Sequence, residues 1–395
     1  MRINVAKIQP RITRRDDRVY GIINYDKTNA YPQDVDNIVG RTGQGFICVN
    51  TFYKFVNGKG FDNVNFGKMV IDGKKLTADK LLRKNAFDFT RYGGFAIHFN
   101  YNMLGQVTTV HPVPFSHCRL AIDEKTSEVV KIAVYDDWAR ERKKAIDKKE
   151  IDYIHLYNPD PERVKEEIEL AGGIEFYKGQ IYYHGAEGDL VYPVAPYDSE
   201  LEDMATDGEI KIFKWKSISS SFMAANMIVK YGQSEGGNKG TGSTAPPLAG
   251  ERATSDTTDQ DEAFVEGIKQ FQGAENYGKS LVAFIDTPEQ KPEIIPFPVA
   301  NVDKLFEYTE TSTQDNIRKV FTIPTIYLDA ISKGLNGLSK ELEDAVTFYN
   351  VMTSDERALI EEAYQSVLGN VYTGQNFKIK ELSMTSVIQP DKLIV

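Results

Sequence analysis

The stretch Tyr92-Gly93-Gly94-Phe95-Ala96-Ile97-His98-Phe99-Asn100-Tyr101 decides how the first half of the chain is read. Phe95, Ile97, Phe99 and Tyr101 fall on one side of an extended backbone, and Ala96, His98 and Asn100 fall on the other. This is the period-two alternation of a strand with one face in a core. Residues 102–105 turn the chain, and Val107-Thr108-Thr109-Val110 offers a β-branched partner strand. Upstream, Leu81, Leu82, Ala86 and Phe89 recur at helical spacing over 77–89, and Gly93-Gly94 stops that helix. Further upstream a helix is expected around Val35, Ile38 and Val39, followed by an apolar, β-branched stretch up to residue 58. Downstream, 119–122 and 129–135 read as a hairpin around a turn at 123–128, with short strands at 151–156, 173–177 and 181–183. Residues 1–198 are therefore expected to form an α+β domain with an antiparallel sheet.

Composition frames that expectation. Hydrophobic residues make up 41% and charged residues 26% of 395, the balance of a folded globular protein of two or three domains. Lys and Arg number 47 against 57 Asp and Glu, a formal charge of −10. A protein that clamps nucleic acid along one face is usually basic, so DNA meeting this chain is expected to be passed or repelled. The 21 Tyr and 21 Phe favour strands and subunit contacts. Cys48 and Cys118, seventy positions apart, make neither a disulfide framework nor a metal knuckle and read as reduced, buried thiols. No apolar run is long enough to span a bilayer, and the first residues lack the apolar core of a secretory signal, so no membrane is expected as a partner.

The texture changes after residue 197. Glu200, Glu202, Asp203, Asp207 and Glu209 open a long helical segment reaching about residue 222, with Ile210, Phe213, Ile218 and Phe222 as its apolar stripe. Ser217, Ser219, Ser220, Ser221, Ala224 and Ala225 are small, which lets neighbouring backbones approach closely. A strand is expected at 226–231. Residues 232–260 are a low-complexity run of Gly, Ser, Thr, Pro and Asp. A helix at 261–271 and strands at 281–285 and 293–297 follow. A second long helix spans 301–321, stopped by Thr322-Ile323-Pro324. Residues 323–338 form a loop with Gly334, Asn336 and Gly337, and 339–351 is again helical. Thr353 and Glu356 have the spacing of a capping box opening a last helix. At the other end, Arg2, Lys7, Arg11, Arg14, Arg15 and Arg18 make residues 1–18 a basic arm.

The search for chemistry is negative. Gly40-Arg41-Thr42-Gly43-Gln44-Gly45 lacks the strand and the glycine spacing of a dinucleotide loop, and 237–243 lacks the lysine of a P-loop. His98, His111, His117, His155 and His184 form no metal-binding pair. Asp123-Glu124-Lys125 with Asp136 and Asp137 is the nearest approach to a magnesium-dependent nuclease, and a hairpin turn uses the same residues for solvation. No nucleophile–base pair stands out. The chain reads as a non-enzyme, with no catalytic, metal or cofactor residue assigned.

Three stretches resemble the portal protein of tailed bacteriophages. They are Tyr92–Asn100 with Gly105–Phe115; the acidic start and long helix between Tyr197 and Gly232; and Asp315-Asn-Ile-Arg-Lys-Val-Phe-Thr-Ile-Pro324, whose end is similar to the family's Ile-x-x-x-Phe-x-Ile/Val-Pro signature. Their order spans roughly residues 30–370. The resemblance implies an α+β, portal-like fold. In it, 1–198 would be an antiparallel-sheet wing, 199–222 and 299–322 long stem helices, and 223–298 a small α/β clip carrying the 232–260 insert. Residues 323–338 would be a tunnel loop and 339–395 a helical wing and crown side.

It also implies a ring of about twelve copies at one capsid vertex, assembled in the host cytoplasm and built into the virion. Double-stranded DNA would be packaged and ejected through this ring. Its implied partners are terminase, the major capsid or scaffolding protein, and a neck or tail adaptor. Lys333, Gly334, Asn336 and Gly337 would then be the tunnel-loop residues facing DNA. A head–tail joining adaptor is the alternative, and the nuclease a more distant one.

Overall fold

The computed structural model describes residues 14–123, 126, 128–140, 146–185, 191–220, 226–231, 280–285, 302–328 and 339–383. The chain divides into a larger unit, Met1–Asp207 with Ser312–Val395, and a smaller one, Gly208–Thr311. The larger unit begins with β1 (Asp16–Asp17), β2 (Ile22–Ile23), α1 (Tyr31–Arg41), α2 (Gly43–Asn57), α3 (Val64–Gly67) and α4 (Ala78–Tyr92). It continues with β3 (Phe95–Tyr101), β4 (Val107–Val113), β5 (Cys118–Ile122), β6 (Val129–Val134), β7 (Asp152–Leu156), α5 (Pro161–Leu170) and β8 (Gln180–His184). Then come α6 (Leu201–Ser220), β9 (Asn226–Tyr231), β10 (Ser280–Ile285), α7 (Val302–Val320), α8 (Ser339–Met352) and α9 (Ser354–Val367). The boundary between the units falls inside α6 and inside α7.

Eight strands form one sheet in the order β1-β2-β5-β6-β7-β8-β3-β4. β3 behaves as its alternation predicts, pairing antiparallel with β4 and with β8. Alternation also separates the sheet's two faces. Leu120 and Ile132 belong to the main core, whereas their neighbours Ala121 and Ala133 join Trp138 and Ile151 in a smaller cluster. The expectation of a purely antiparallel sheet is corrected at one place: β7 and β8 run parallel, with His155 opposite Gln180 and Leu156 opposite Ile181. A parallel pair needs a long crossover, and α5 lies in it. The strand expected at 173–177 is a set of turns instead, in which Gly173 N–H donates to Ile168 O at 3.0 Å and Phe176 N–H to Gly173 O at 3.1 Å.

α4 is fixed at both ends by its own sequence. Thr77 Oγ1 accepts the Lys80 N–H at 3.4 Å at the start. At the end Gly93 sits at φ 77° and donates to Phe89 O at 2.8 Å. A Cβ on Gly93 would lie 2.3 Å from the Val194 carbonyl oxygen, and one on Gly94 would lie 2.5 Å from that of His184. Only glycine lets the helix end this close to the backbone beyond it. The buried face of α4, Leu81, Leu82, Ala86 and Phe89, joins Phe95, Phe99 and Phe115 in the main core. Each fully buried ring there contributes on the order of 2–3 kcal/mol.

The apolar, β-branched stretch before residue 58 is the helix α2. Cys48, Val49, Phe52, Phe55 and Val56 are buried, a spacing that follows the helical period although several of these residue types favour strands. Thr42 caps α2 by accepting the Gly45 N–H at 3.1 Å. The capping box expected at Thr353 is also absent. Thr353 Oγ1 instead donates to Tyr349 O at 2.9 Å and accepts from buried Arg357 at 2.8 Å.

In the smaller unit β9 and β10 form a parallel pair, Asn226 opposite Ser280 through Tyr231 opposite Ile285. The expected helix 261–271, the strand 293–297 and the run 232–260 lie outside the described residues, as does most of the basic arm.

Candidate functional site

Two long helices carry the features that sequence reading singled out. In the larger unit, α6 buries Leu201, Met204 and Asp207 at helical spacing. Thr42 Oγ1 donates to Asp207 Oδ2 at 2.6 Å, and a Cβ on Gly45 would come within 3.0 Å of Met204 Sδ, so α2 and α6 are held at close range. The C-terminal half of α7 is anchored in the same core. Thr313 and Ile317 are buried, Asn316 Nδ2 donates to Asp203 Oδ2 at 2.9 Å, and Arg318 donates to Gln44 Oε1 at 3.3 Å.

The segment Ile317-x-x-x-Phe321-x-Ile323-Pro324 has a packing explanation. Ile317, Phe321 and Ile323 are all buried. The Phe321 ring lies 5.0 Å from Tyr197 and 6.1 Å from Phe52, centre to centre. Thr322 takes φ 51°, an uncommon conformation for a β-branched residue, between the two buried side chains. The loop expected from residue 323 is corrected at its start: Pro324 opens a helical turn at residues 325–328, where Tyr327 packs on Phe55 at 5.5 Å.

In the smaller unit α6 and α7 meet through Phe213 and Phe306, 5.4 Å apart, and through an ion pair between Lys214 and Glu310. Beside these contacts the helices present large aromatics to solvent: Trp215 is 67% exposed and Tyr308 82% exposed.

The residues named for DNA contact, Lys333, Gly334, Asn336 and Gly337, lie outside the described residues, as do Ser221, Ala224 and Ala225. Of the nuclease candidates, Glu124 and Lys125 lie outside as well, and Asp123 Oδ1 accepts the Thr126 N–H at 3.0 Å as a turn residue does. Among the described residues no group of three or more His, Cys, Asp or Glu could hold a metal. His98 Nε2 lies 2.6 Å from Lys178 O, His155 Nδ1 lies 3.4 Å from Glu167, and His184 stacks on Phe95 at 4.9 Å. Burial pushes the thiols of Cys48 and Cys118 up, which keeps both in the inert, protonated form. Among the described residues no helix is long and apolar enough to cross a membrane.

Sequence reading passed over Asp88. Its Oδ2 accepts the Phe115 N–H at 3.0 Å, and burial, aided by nearby Asp36, pushes its carboxyl up to about 7. Asp36 itself accepts from Arg91 and from the Tyr92 hydroxyl, both at 2.6 Å. The available signal was its position seven residues after Leu81, which places a half-buried carboxylate beside the buried stripe of α4.

No family model and no curated protein matches the chain. Among solved structures it is similar to a chain in the virion of a native gene transfer agent particle, at 13% identity over 88% of this chain and 83% of that one, with a TM-score of 0.46. It is similar to a chain in the neck of the empty gene transfer agent particle computed with C6 symmetry, at 11% identity, 89% and 85% coverage and a TM-score of 0.47. A chain in the neck of the native particle computed with C12 symmetry gives 12%, 91%, 86% and 0.47. At these identities and TM-scores neither fold nor activity transfers from those particles to this chain.

Proposed function

We propose that this protein is a non-enzymatic subunit of a phage-like virion that assembles into a portal-like ring at the junction of head and tail, through which double-stranded DNA passes. The observation that carries this reading is the pair α6 and α7, 20 and 19 residues long, bracketing an inserted unit and exposing Trp215 and Tyr308. In a lone copy these rings stay in water. In a ring, side-by-side copies bury them, and symmetry supplies the partner surface without a second protein. The order of the three portal-like stretches supports the same reading. So does the net charge of −10, because an acidic wall repels phosphates rather than gripping them. On this reading terminase, capsid and tail proteins dock on the ring, and the segment that carries Lys333 lies nearest the DNA.

Electron microscopy of the purified full chain tests it. Rings with an open centre are expected, weakened in Trp215→Ala and Tyr308→Ala variants. A field of single copies in the wild type contradicts the proposal.

A further inference from the structure

We propose that copies of this chain join head to tail, with the turn that ends α5 on one copy seated in a cleft beside α4 on the next. This rests on the ring reading above and assigns one of its contacts.

The cleft measures about 400 Å3 and is walled by Tyr53, Phe87 and the segment Pro112-Val113-Pro114. Its aromatic side is held in place before anything binds. Phe87 meets Tyr53 edge to face at 5.9 Å and carries the Arg91 guanidinium 4.8 Å over its ring. Arg83 and Lys84, both exposed, line the same cleft with Asp88, whose carboxyl burial pushes up to about 7, so the two cations outnumber the one acid. It opens at β4, which is an edge strand of the eight-stranded sheet. Pro112 removes a backbone donor from that edge, so strand addition is disfavoured and a side-chain partner is required.

The complementary feature is on the same chain. Leu170, at the C-terminus of α5, is 87% exposed, and Phe176, in the turns that follow, is 71% exposed. Glu169 and Glu175, both exposed, each directly precede one of these two apolar residues. The turn is defined rather than loose: Gly172, Gly173 and Phe176 N–H groups all donate within it, between 3.0 and 3.1 Å. Two apolar side chains with two carboxylates thus match an apolar cleft with two cations. An acidic knob and a basic cleft on different parts of one chain make a heterologous contact, which closes into a ring when the rotation per copy allows. Like charge opposes knob-to-knob and cleft-to-cleft pairing.

Sedimentation of the full-length chain tests this with two charge-reversed variants, Glu169→Lys with Glu175→Lys, and Arg83→Glu with Lys84→Glu. All four positions are exposed, and circular dichroism checks that each variant is folded. Each variant alone is expected to lose assembly, and an equimolar mixture to regain it with the two alternating, because the reversed knob of the first fits the reversed cleft of the second and the native knob of the second fits the native cleft of the first. A chain carrying Lys84→Cys with Phe176→Cys, oxidised with copper phenanthroline, should give a ladder of cross-linked copies. Variants that assemble singly like the wild type, a folded mixture that stays monomeric, or rings that yield no ladder overturn the contact and leave the ring reading standing. A wild-type chain that never assembles overturns both.

Discussion

Thr42 donates its hydroxyl to Asp207 at 2.6 Å while accepting the Gly45 N–H at 3.1 Å, so one small side chain both starts α2 and ties it to α6. Both residues are buried, so the bond is shielded from water. The long helix that opens the proposed ring-forming segment is therefore registered on the core by a polar link rather than by apolar packing alone.

Replacing Thr42 with Ala removes the cap and a buried hydrogen bond together. The unfolding free energy should fall by about 1–3 kcal/mol. Thr42→Ser keeps both bonds and should cost no more than about 1 kcal/mol for the lost methyl. Urea unfolding of the two variants checks this. An Ala variant as stable as the Ser variant would show that the link carries no weight.

Asp88 should make stability depend on pH in an uncommon direction. Its folded-state pKa of about 7 lies above the usual carboxylate value of about 3.9 in an unfolded chain. The folded protein therefore holds the proton more tightly. The stabilisation from this group is complete below about pH 4 and is lost as pH rises through 7, at up to about 1.4 kcal/mol per pH unit in between. Asp88→Asn removes the titration, so the variant should gain on the wild type between pH 4 and 7, with a constant difference above that. Paired thermal melts across that range check it, and a difference that does not change with pH would contradict it.

Much of the fold was legible, and the illegible parts share a cause. The alternation of β3, the stripe of α4 and the Gly93-Gly94 stop are local patterns, and each is found as read. α2 was not legible, because Val49, Phe52, Phe55 and Val56 are strand-favouring types placed at helical spacing, and burial decided for the spacing. The parallel pairing of β7 with β8 depends on α5, whose buried residues Val164, Glu167 and Ile168 sit among charges too dense to announce a helix stripe. The cleft brings together α2, α4 and β4, and Asp88 acquires its raised pKa only from that packing, so no local signal announces either. The Ile317–Pro324 segment was legible as a motif, and its meaning in the larger unit is core packing.

The proposed tunnel loop makes a prediction of its own. Lys333→Glu combined with deletion of residues 334–337 should leave assembly intact, because the anchoring of α7 through Ile317, Phe321 and Ile323 lies upstream of it. DNA packaging or retention should fall in particles built from that variant if, as proposed, Lys333 meets the phosphates, because a repulsive group then replaces a cation. Packaging and retention at wild-type levels would make the loop a plain connector between helices.

The most direct test of the ring is native mass spectrometry of the full chain at micromolar concentration. A single closed species near twelve times the 44.5 kDa chain mass is expected, collapsing toward monomer when Trp215 and Tyr308 are both replaced by Ala. A wild-type spectrum holding only the 44.5 kDa monomer, with circular dichroism showing the chain folded, would contradict the account.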